Sequence, residues 1–421
     1  MFKQLLVGLS AALLLYAGPG LSASPMTTSV IDAAGNELPV QRWPVAEGEQ
    51  VVVWILPQSG ARPIHARFAE GLQQRGVEVW QIDLLDALFL PRINESMREL
   101  DGSSVAAIIR EAHAQTGRSV LVVTSGRPSI QAIRGLRQWQ LSEPGADYLL
   151  GAALYFPNLM LATPVAGEPA IYIDEAYATT LPVFLYQPEL GVYRWHLADM
   201  VATLQSGGSP VFARLLPEVR DFFYLRRDET TEVENRLIER LPEQLIGTAQ
   251  LFARLPRPQQ VADLPDRGEA IGTTRRGLVE LDGSVQTQPI ELPDHLGERQ
   301  RLADYDGQVV LLNFWASWCP PCVEEIPSMN RMAELLGDGF AIVSVNFQES
   351  AEHIGQFMRE VQVDFPVLMD LDGRVSAQWR VFAFPSSFIL DRQGRLRYSV
   401  NSAIEWDETE VIETVRRLMD E

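Results

Sequence analysis

The chain has two cysteines, and they stand three positions apart in Cys319-Pro320-Pro321-Cys322. Thiols at this spacing can exchange disulfides, supply half of a zinc site, or close a static loop. The preceding run Asn313-Phe314-Trp315-Ala316-Ser317-Trp318 reads as a strand end and a Trp pair, with a helix beginning at Cys319. Pro320 is tolerated there, because the first helical turn has no partner for the N–H that proline lacks. Cys319 then sits at a helix N-terminus, where unpaired N–H groups and the dipole favour an anion. That position favours the thiolate, the nucleophilic form. Cys322, one turn on, can attack the mixed disulfide formed on Cys319, which is the two-step exchange of dithiol proteins. A zinc site would need two more ligands. The five histidines are scattered, and only His353 follows the motif. A static disulfide across so short a loop adds little stability, because the loop-closure contribution grows with loop length. A reactive pair would also attack any stray thiol, and the chain keeps none; an exported protein with structural disulfides spreads several cysteines along its length.

The flanking elements must hold that pair. Val309 to Phe314 is an apolar β-branched run that reads as a strand, and a helix follows to about Leu336. Phe340 to Asn346 reads as a strand, Ala351 to Glu360 as a helix, and Pro366 to Met369 as a short extended piece. Phe388 to Asp391 and Arg395 to Val400 read as a hairpin around Gln393-Gly394, and Glu408 to Met419 as a closing helix.

In this order and spacing, residues from about Ile290 to Glu421 resemble the TlpA/ResA-like branch of the thioredoxin superfamily. The matching pieces are Asn313 to Cys322, then Glu324-Glu325-Ile326-Pro327, Phe365-Pro366-Val367-Leu368-Met369-Asp370 and Phe384-Pro385-Ser386-Ser387-Phe388-Ile389-Leu390-Asp391. The resemblance implies that Pro385 is a cis-proline facing the disulfide and helping to dock substrate backbone. It implies that Glu325 lies close to the Cys pair and assists proton transfer, and that Pro327 kinks the active-site helix. Asn313 stands where thioredoxins proper carry a buried acid. Trp315 and Trp318 read as packing and shielding groups. Two departures concern docking: Ala383 stands where relatives commonly have Gly, and Ser386-Ser387 replaces a common Thr pair. The implied activity is thiol–disulfide exchange without cofactor or metal, with Cys319, Cys322, Glu325 and Pro385 as the site. A protein-disulfide reductase is the first expectation, with electrons from a membrane thiol transporter and apocytochromes among the clients. A disulfide oxidase or isomerase is the alternative, because the Pro-Pro dipeptide does not set the direction of electron flow.

The N-terminal half alternates strand and helix patterns: Val51 to Leu56, Ile64 to Arg75, Val77 to Leu84, Ser103 to Gln115 with Ser103 or Ser104 as N-cap, Ser119 to Thr124, Ser129 to Trp139, Tyr148 to Tyr155 and Leu181 to Tyr186. Such alternation implies a largely parallel sheet covered on both faces. The series resembles an α/β-hydrolase core, with Val122-Val123-Thr124-Ser125-Gly126-Arg127-Pro128-Ser129 where the nucleophile elbow belongs. An elbow needs small residues two before and two after the nucleophile. Val123 and Arg127 flank Ser125; centring on Gly126 fits better, but glycine cannot attack. The base is missing too: His196 is the one histidine between Ser125 and the linker and reads as a helix start. The segment where a catalytic His belongs holds Asp221. The expectation is a non-catalytic hydrolase-like domain, with Ser125 a turn residue and His65 and His113 surface or packing residues. It would bind or position a partner, which leaves a redox-controlled binding protein as a second class of function.

The 421 residues suggest two or three domains. The expected layout is a signal peptide over 1–23, the hydrolase-like domain over 27–252, a Pro- and Gly-rich linker over 253–288 and the thioredoxin-like domain over 289–421, all of α/β class. Lys3, the apolar run Leu5 to Ala17 and a cut after Ala23 have the order of an export signal to the periplasm. Leu21 at the −3 position makes the cut site imperfect, so an uncleaved anchor is the alternative. No Cys near the cut can carry lipid. Tyr148 to Gly167 carries no charge, but Pro157, Asn158 and Pro164 interrupt it, so it reads as buried strand plus loop. The net charge of −20 repels phosphate backbones and sets nucleic-acid binding aside.

Overall fold

A computed structural model describes residues 24–161, 164, 170–225, 230–258, 260–266, 277–281, 287–381 and 383–421. The signal-peptide expectation over 1–23 lies outside these residues, as do 162–163 and 165–169 of the uncharged run and Phe382 before the cis-proline. No helix among the described residues is long and apolar enough to cross a membrane.

The first unit is built on an eight-stranded sheet of order β1-β2-β4-β3-β5-β6-β7-β8. Its strands are β1 (Met26–Ile31), β2 (Glu37–Trp43), β3 (Gln50–Ile55), β4 (Glu78–Ile82), β5 (Ser119–Ser125), β6 (Leu149–Tyr155), β7 (Val183–Pro188) and β8 (Val211–Leu216). All neighbours from β4 to β8 pair in parallel, and β2 runs antiparallel to both β1 and β4. The helices are α1 (Pro63–Gln73), α2 (Leu84–Ala87), α3 (Asn94–Glu99), α4 (Ser103–Thr116), α5 (Ser129–Ser142), α6 (Asp174–Tyr177), α7 (Leu197–Ser206) and α8 (Glu232–Ala253).

Strand alternation explains why helices cover both faces. Successive side chains of a strand point to opposite sides. In β3, Val51, Val53 and Ile55 join one core with Ile108 and Ile109 of α4 and Ile130 and Ile133 of α5. Val52 and Trp54 join a second core with Phe68 and Leu72 of α1 and Leu241 and Leu245 of α8.

The second unit holds β9 (Val279–Glu280), the small hairpin β10 (Glu291–Pro293) and β11 (Arg299–Arg301), β12 (Val309–Trp315), β13 (Phe340–Phe347), β14 (Val367–Asp370), β15 (Ser386–Leu390) and β16 (Leu396–Val400). Its six-stranded sheet has the order β14-β13-β12-β15-β16-β9. Its helices are α9 (Pro320–Leu336), α10 (Ala351–Glu360), α11 (Arg374–Gln378) and α12 (Thr409–Asp420). Here too the central strand divides its residues: Val309, Leu311 and Trp315 face the core of α9 and α12, and Val310, Leu312 and Phe314 face the opposite core.

The elements of the fold differ from the sequence expectations at several places. The strands β1 and β2 escape the apolar-run pattern because each leaves much of its length exposed and carries polar residues there, and β8 is a further strand that the sequence series did not include, with Ala213, Arg214 and Leu215 exposed. The N-cap of α4 is Gly102, with φ +87, rather than Ser103 or Ser104. Ser104 instead donates its Oγ–H to Asp32 Oδ2 at 2.7 Å, tying α4 to the β1–β2 hairpin. Within the expected linker, Val279–Glu280 pairs antiparallel with β16, so part of that stretch closes the second sheet.

Gly151 marks the tightest backbone approach in the first sheet. Its φ is +138, and a Cβ there would stand 2.1 Å from the carbonyl oxygen of Pro182. Gly151→Ala should therefore lower unfolding free energy by about 2–4 kcal/mol, read by urea titration. A loss near zero would show that β6 and the segment before β7 separate freely.

Candidate active site

Cys319 occupies the N-cap position of α9, and Pro320 and Pro321 fill its first turn. The strand β12 delivers the chain to this point, buried along its whole length. Cys319 and Cys322 are joined as a disulfide with Cα atoms 5.3 Å apart. Cys319 is 6% exposed and Cys322 1%. The N–H groups of Cys322 and Val323 both donate to the Cys319 carbonyl, at 3.0 and 3.2 Å, which fixes the helix start on the first cysteine.

The Phe384–Pro385 peptide bond is cis. Strand β15 follows at once and pairs antiparallel with β12, Ser386 opposite Phe314 and Ser387 opposite Asn313. Pro385 therefore sits one step beyond that register, beside the end of β12 that leads to Cys319. The Phe384 ring stands edge-on to Trp318 at 5.8 Å.

Glu325 lies one turn beyond Cys322 on the same face of α9. It is 2% exposed. Its Oε1 accepts from Asn313 Nδ2 at 2.9 Å and its Oε2 from Trp406 Nε1 at 3.2 Å. Asn313 also donates to Ser387 Oγ at 2.8 Å, linking helix, central strand and cis-proline strand. Burial pushes the Glu325 carboxyl up to about 7, against the smaller opposing pull of the Trp406 and Asn313 hydrogen bonds.

A second buried carboxylate braces the loop before Cys319, and no sequence signal marked it. Glu349, just past the end of β13, accepts from the Ser317 N–H at 2.7 Å, from the Ser317 hydroxyl and from Asn346 Nδ2 at 2.7 Å. His353 Nε2 stands 3.0 Å from Ser317 Oγ. Glu349 follows Gln348, which takes φ +56; only the turn that this residue makes brings the carboxylate under the cysteine loop.

The two units enclose a cleft of about 880 Å³ that reaches the disulfide. Trp318, Cys319, Pro320, His353 and Phe384 line it from the second unit, and Arg62, Arg92, Ser125 to Pro128, Asn158, Tyr193, Asp221 and Phe222 from the first. The Phe222 and Trp318 rings approach to 6.2 Å across it, and Asn401 Nδ2 donates to the Pro164 carbonyl at 3.1 Å.

Ser125 and Asp221 thus share this cleft, but the left-handed turn residue is Gly126, with φ +66; Ser125 ends β5 and is buried. That corrects the reading of Ser125 as the turn residue. His196 is the N-cap of α7 and does not line the cleft. His65 is buried on α1, where its Nδ1 accepts from the Arg62 N–H at 2.9 Å and burial pushes its pKa down to about 4. His113 stacks on Tyr148 at 3.7 Å. No group of three His, Cys, Asp or Glu disposed to hold a metal occurs among the described residues.

A dithiol pair at a strand-to-helix junction, with a cis-proline strand beside it, defines a site of thioredoxin type. Residues 285–399 match the AhpC/TSA family. Over 119 residues the chain is 39% identical to the Thioredoxin-like protein YneN of Bacillus subtilis, covering 28% of this chain and 69% of that one. Over 106 residues it is 38% identical to the Thiol-disulfide oxidoreductase ResA of the same organism, covering 25% of this chain and 59% of that one. Among solved structures, the exposed lipoprotein thioredoxin Etrx1 of Streptococcus pneumoniae is 26% identical, with a TM-score of 0.28, over 31% of this chain and 99% of that one. Through this C-terminal part the chain belongs to the TlpA/ResA-like branch of the thioredoxin superfamily, and it is a thiol–disulfide oxidoreductase.

The raised Glu325 carboxyl has a defined effect on stability. Its folded value of about 7 lies above the ordinary 4.5. Its contribution is therefore fully present below pH 4.5 and is lost as pH rises through 7. Between those limits the oxidised wild type should lose up to about 3 kcal/mol relative to Glu325→Gln, measured by urea unfolding across a pH series. Parallel stability curves for the two proteins would rule the shift out.

Proposed function

We propose that the protein is an exported protein-disulfide reductase of the periplasm. The observation that carries this reading is the placement of Cys319 at the N-terminus of α9, with Glu325 buried one turn beyond Cys322. In the reduced protein the Cys319 thiolate attacks one sulfur of a client disulfide, and the other client sulfur leaves as a thiol. Cys322 gives up its proton and attacks Cys319, which releases the second client thiol and leaves the Cys319–Cys322 disulfide. Glu325, poised near neutrality, takes the Cys322 proton in that second step. Pro385 shapes the groove in which client backbone docks. A membrane thiol donor returns two electrons, and apocytochromes are among the clients that suit such a site. The order of charge, apolar run and small residues at the N-terminus supports export.

The first unit is read as an α/β-hydrolase-like domain over 27–252, joined by 253–288 to the thioredoxin-like domain over 289–421. The mixed sheet order and the left-handed turn at Gly126 after β5 support that reading. A glycine at the turn, with no histidine of that unit in the cleft, argues against hydrolase chemistry. A second reading, a redox-controlled binding protein, is favoured by one observation: the disulfide lines the same cleft as the first unit's polar residues.

The reductase reading predicts that Cys319→Ser abolishes reduction of insulin disulfides by dithiothreitol-fed protein, and that Cys322→Ser accumulates a mixed disulfide visible by mass spectrometry. The reduction potential of the pair should fall near or below that of thioredoxin, around −270 mV. A value near about −120 mV, that of a strong oxidant, would reverse the assigned direction.

A further inference from the structure

Building on the dithiol reading above, we propose that the cleft between the two units is a binding site for low-molecular-weight disulfides that carry carboxylates, anchored by Arg127 and Arg62 with the scissile bond at Cys319.

The charge of the cleft runs against the charge of the chain. The protein carries −20 overall, yet the ionised side chains lining the cleft from the first unit are Arg62, Arg92 and Arg127 against Asp221. Arg92 is already paired with Asp83 at 2.7 Å. Arg127 is not satisfied in this way: its Nη1 is buried and has no hydrogen-bond partner among the described residues. Burial pushes its guanidinium pKa down, with Tyr193 and Glu95 exerting only a weaker opposing attraction. A buried cation without a matched anion is costly. A carboxylate in the cleft relieves that cost and meets a guanidinium suited to bidentate pairing.

The opposite wall fixes the rest of the ligand. It offers the aromatic residues Trp318 and Phe384 and, with them, Cys319. The first unit stands over this wall through the Phe222–Trp318 contact. Beside the docking of protein clients, a volume of about 880 Å³ also suits a small ligand. The ligand is thus a disulfide short enough to fit and anionic at its ends.

The exchange balances without any further reagent once the pair is reduced. The Cys319 thiolate displaces one ligand thiolate and forms a mixed disulfide. Cys322 then attacks Cys319 and displaces the second. Two electrons pass from the protein dithiol to the ligand, and the departing thiolates take up protons.

The test uses full-length, pre-reduced protein and stopped-flow tryptophan fluorescence. The probes are dithiodipropionate, which is anionic, and hydroxyethyl disulfide, which is neutral. Each rate is divided by that of free dithiothreitol with the same probe, which removes intrinsic reactivity. The normalised anionic-to-neutral ratio should exceed one by roughly tenfold or more, the effect of one charge-assisted hydrogen bond. It should fall with added salt and collapse toward one in Arg127→Gln and in Arg62→Gln. Arg62 has no side-chain hydrogen bond at its helix cap, so the second variant decides the matter if the first does not fold. A wild-type ratio near one, or a high ratio that neither variant lowers, would overturn the proposal. Failure of the wild type to reduce either probe would sink the dithiol reading itself.

Discussion

A central strand with no exposed side cannot choose where its residues point. Val309–Trp315 is buried throughout, and its alternation must satisfy two cores at once. That constraint puts Asn313 and Trp315 on the face of α9. It also sets the register with β15, so that the cis-proline strand begins beside the end of β12. A slip of one residue would turn Asn313 away from Glu325 and Ser387 and would move the start of α9 away from the strand end. The cysteine geometry is therefore a consequence of sheet register, and the helix N-terminus inherits its position from it.

The same register creates an energetic tension. Asn313, a neutral amide, is the partner that β12 offers to a buried carboxyl. Glu325 receives neutral donors, from Asn313, Trp406 and the Ile404 backbone, and no cation. Such neutral hydrogen bonds do not replace full hydration of a carboxylate, so burial pushes the carboxyl up toward neutrality. Asp391 shows the contrast. It is also buried, but Arg395 and Arg397 stand at 2.8 and 3.4 Å. Its carboxyl is held below the usual range, where backbone and side-chain hydrogen bonds from Arg395 overcome its burial. The difference lies in the partners: burial leaves the Glu325 carboxyl raised toward neutrality, while the hydrogen bonds of Asp391 hold its carboxyl low.

The redox site was largely legible in the sequence because its determinants are local. Strand, Trp pair, Cys, Pro and the acid at the third position past Cys322 lie within seventeen residues, and helix periodicity alone places Cys322 and Glu325 on one face. Glu349 was not legible, because its link to Ser317 spans 32 residues and depends on a single left-handed residue at Gln348. The strands β1 and β2, exposed along much of their length, were missed for a different reason. A strand with solvent on one side carries polar residues that break an apolar run. The cleft was beyond reach for a third reason: no pattern within Pro57 to Arg62, Ser125 to Pro128 or Trp318 to Cys319 states that the three segments meet.

The cleft joins two frames that each leave a polar centre open at the end of a strand. Chains of this topology present their binding groups beyond the carboxyl ends of parallel strands. In the first sheet that position follows Ser125, the last residue of β5, and in the second it follows Trp315, the last residue of β12. Bringing the two strand ends to one cavity lets Arg127 and Cys319 line the same cleft. An acidic exterior around a cationic cleft shapes the field that a small anion meets. The exterior repels it at long range, while the low-dielectric walls strengthen its attraction to arginine once inside. Such an arrangement favours retention over rapid capture. It suits a site whose first step is attack by the Cys319 thiolate on a ligand sulfur, because the ligand must stay in place until the mixed disulfide forms.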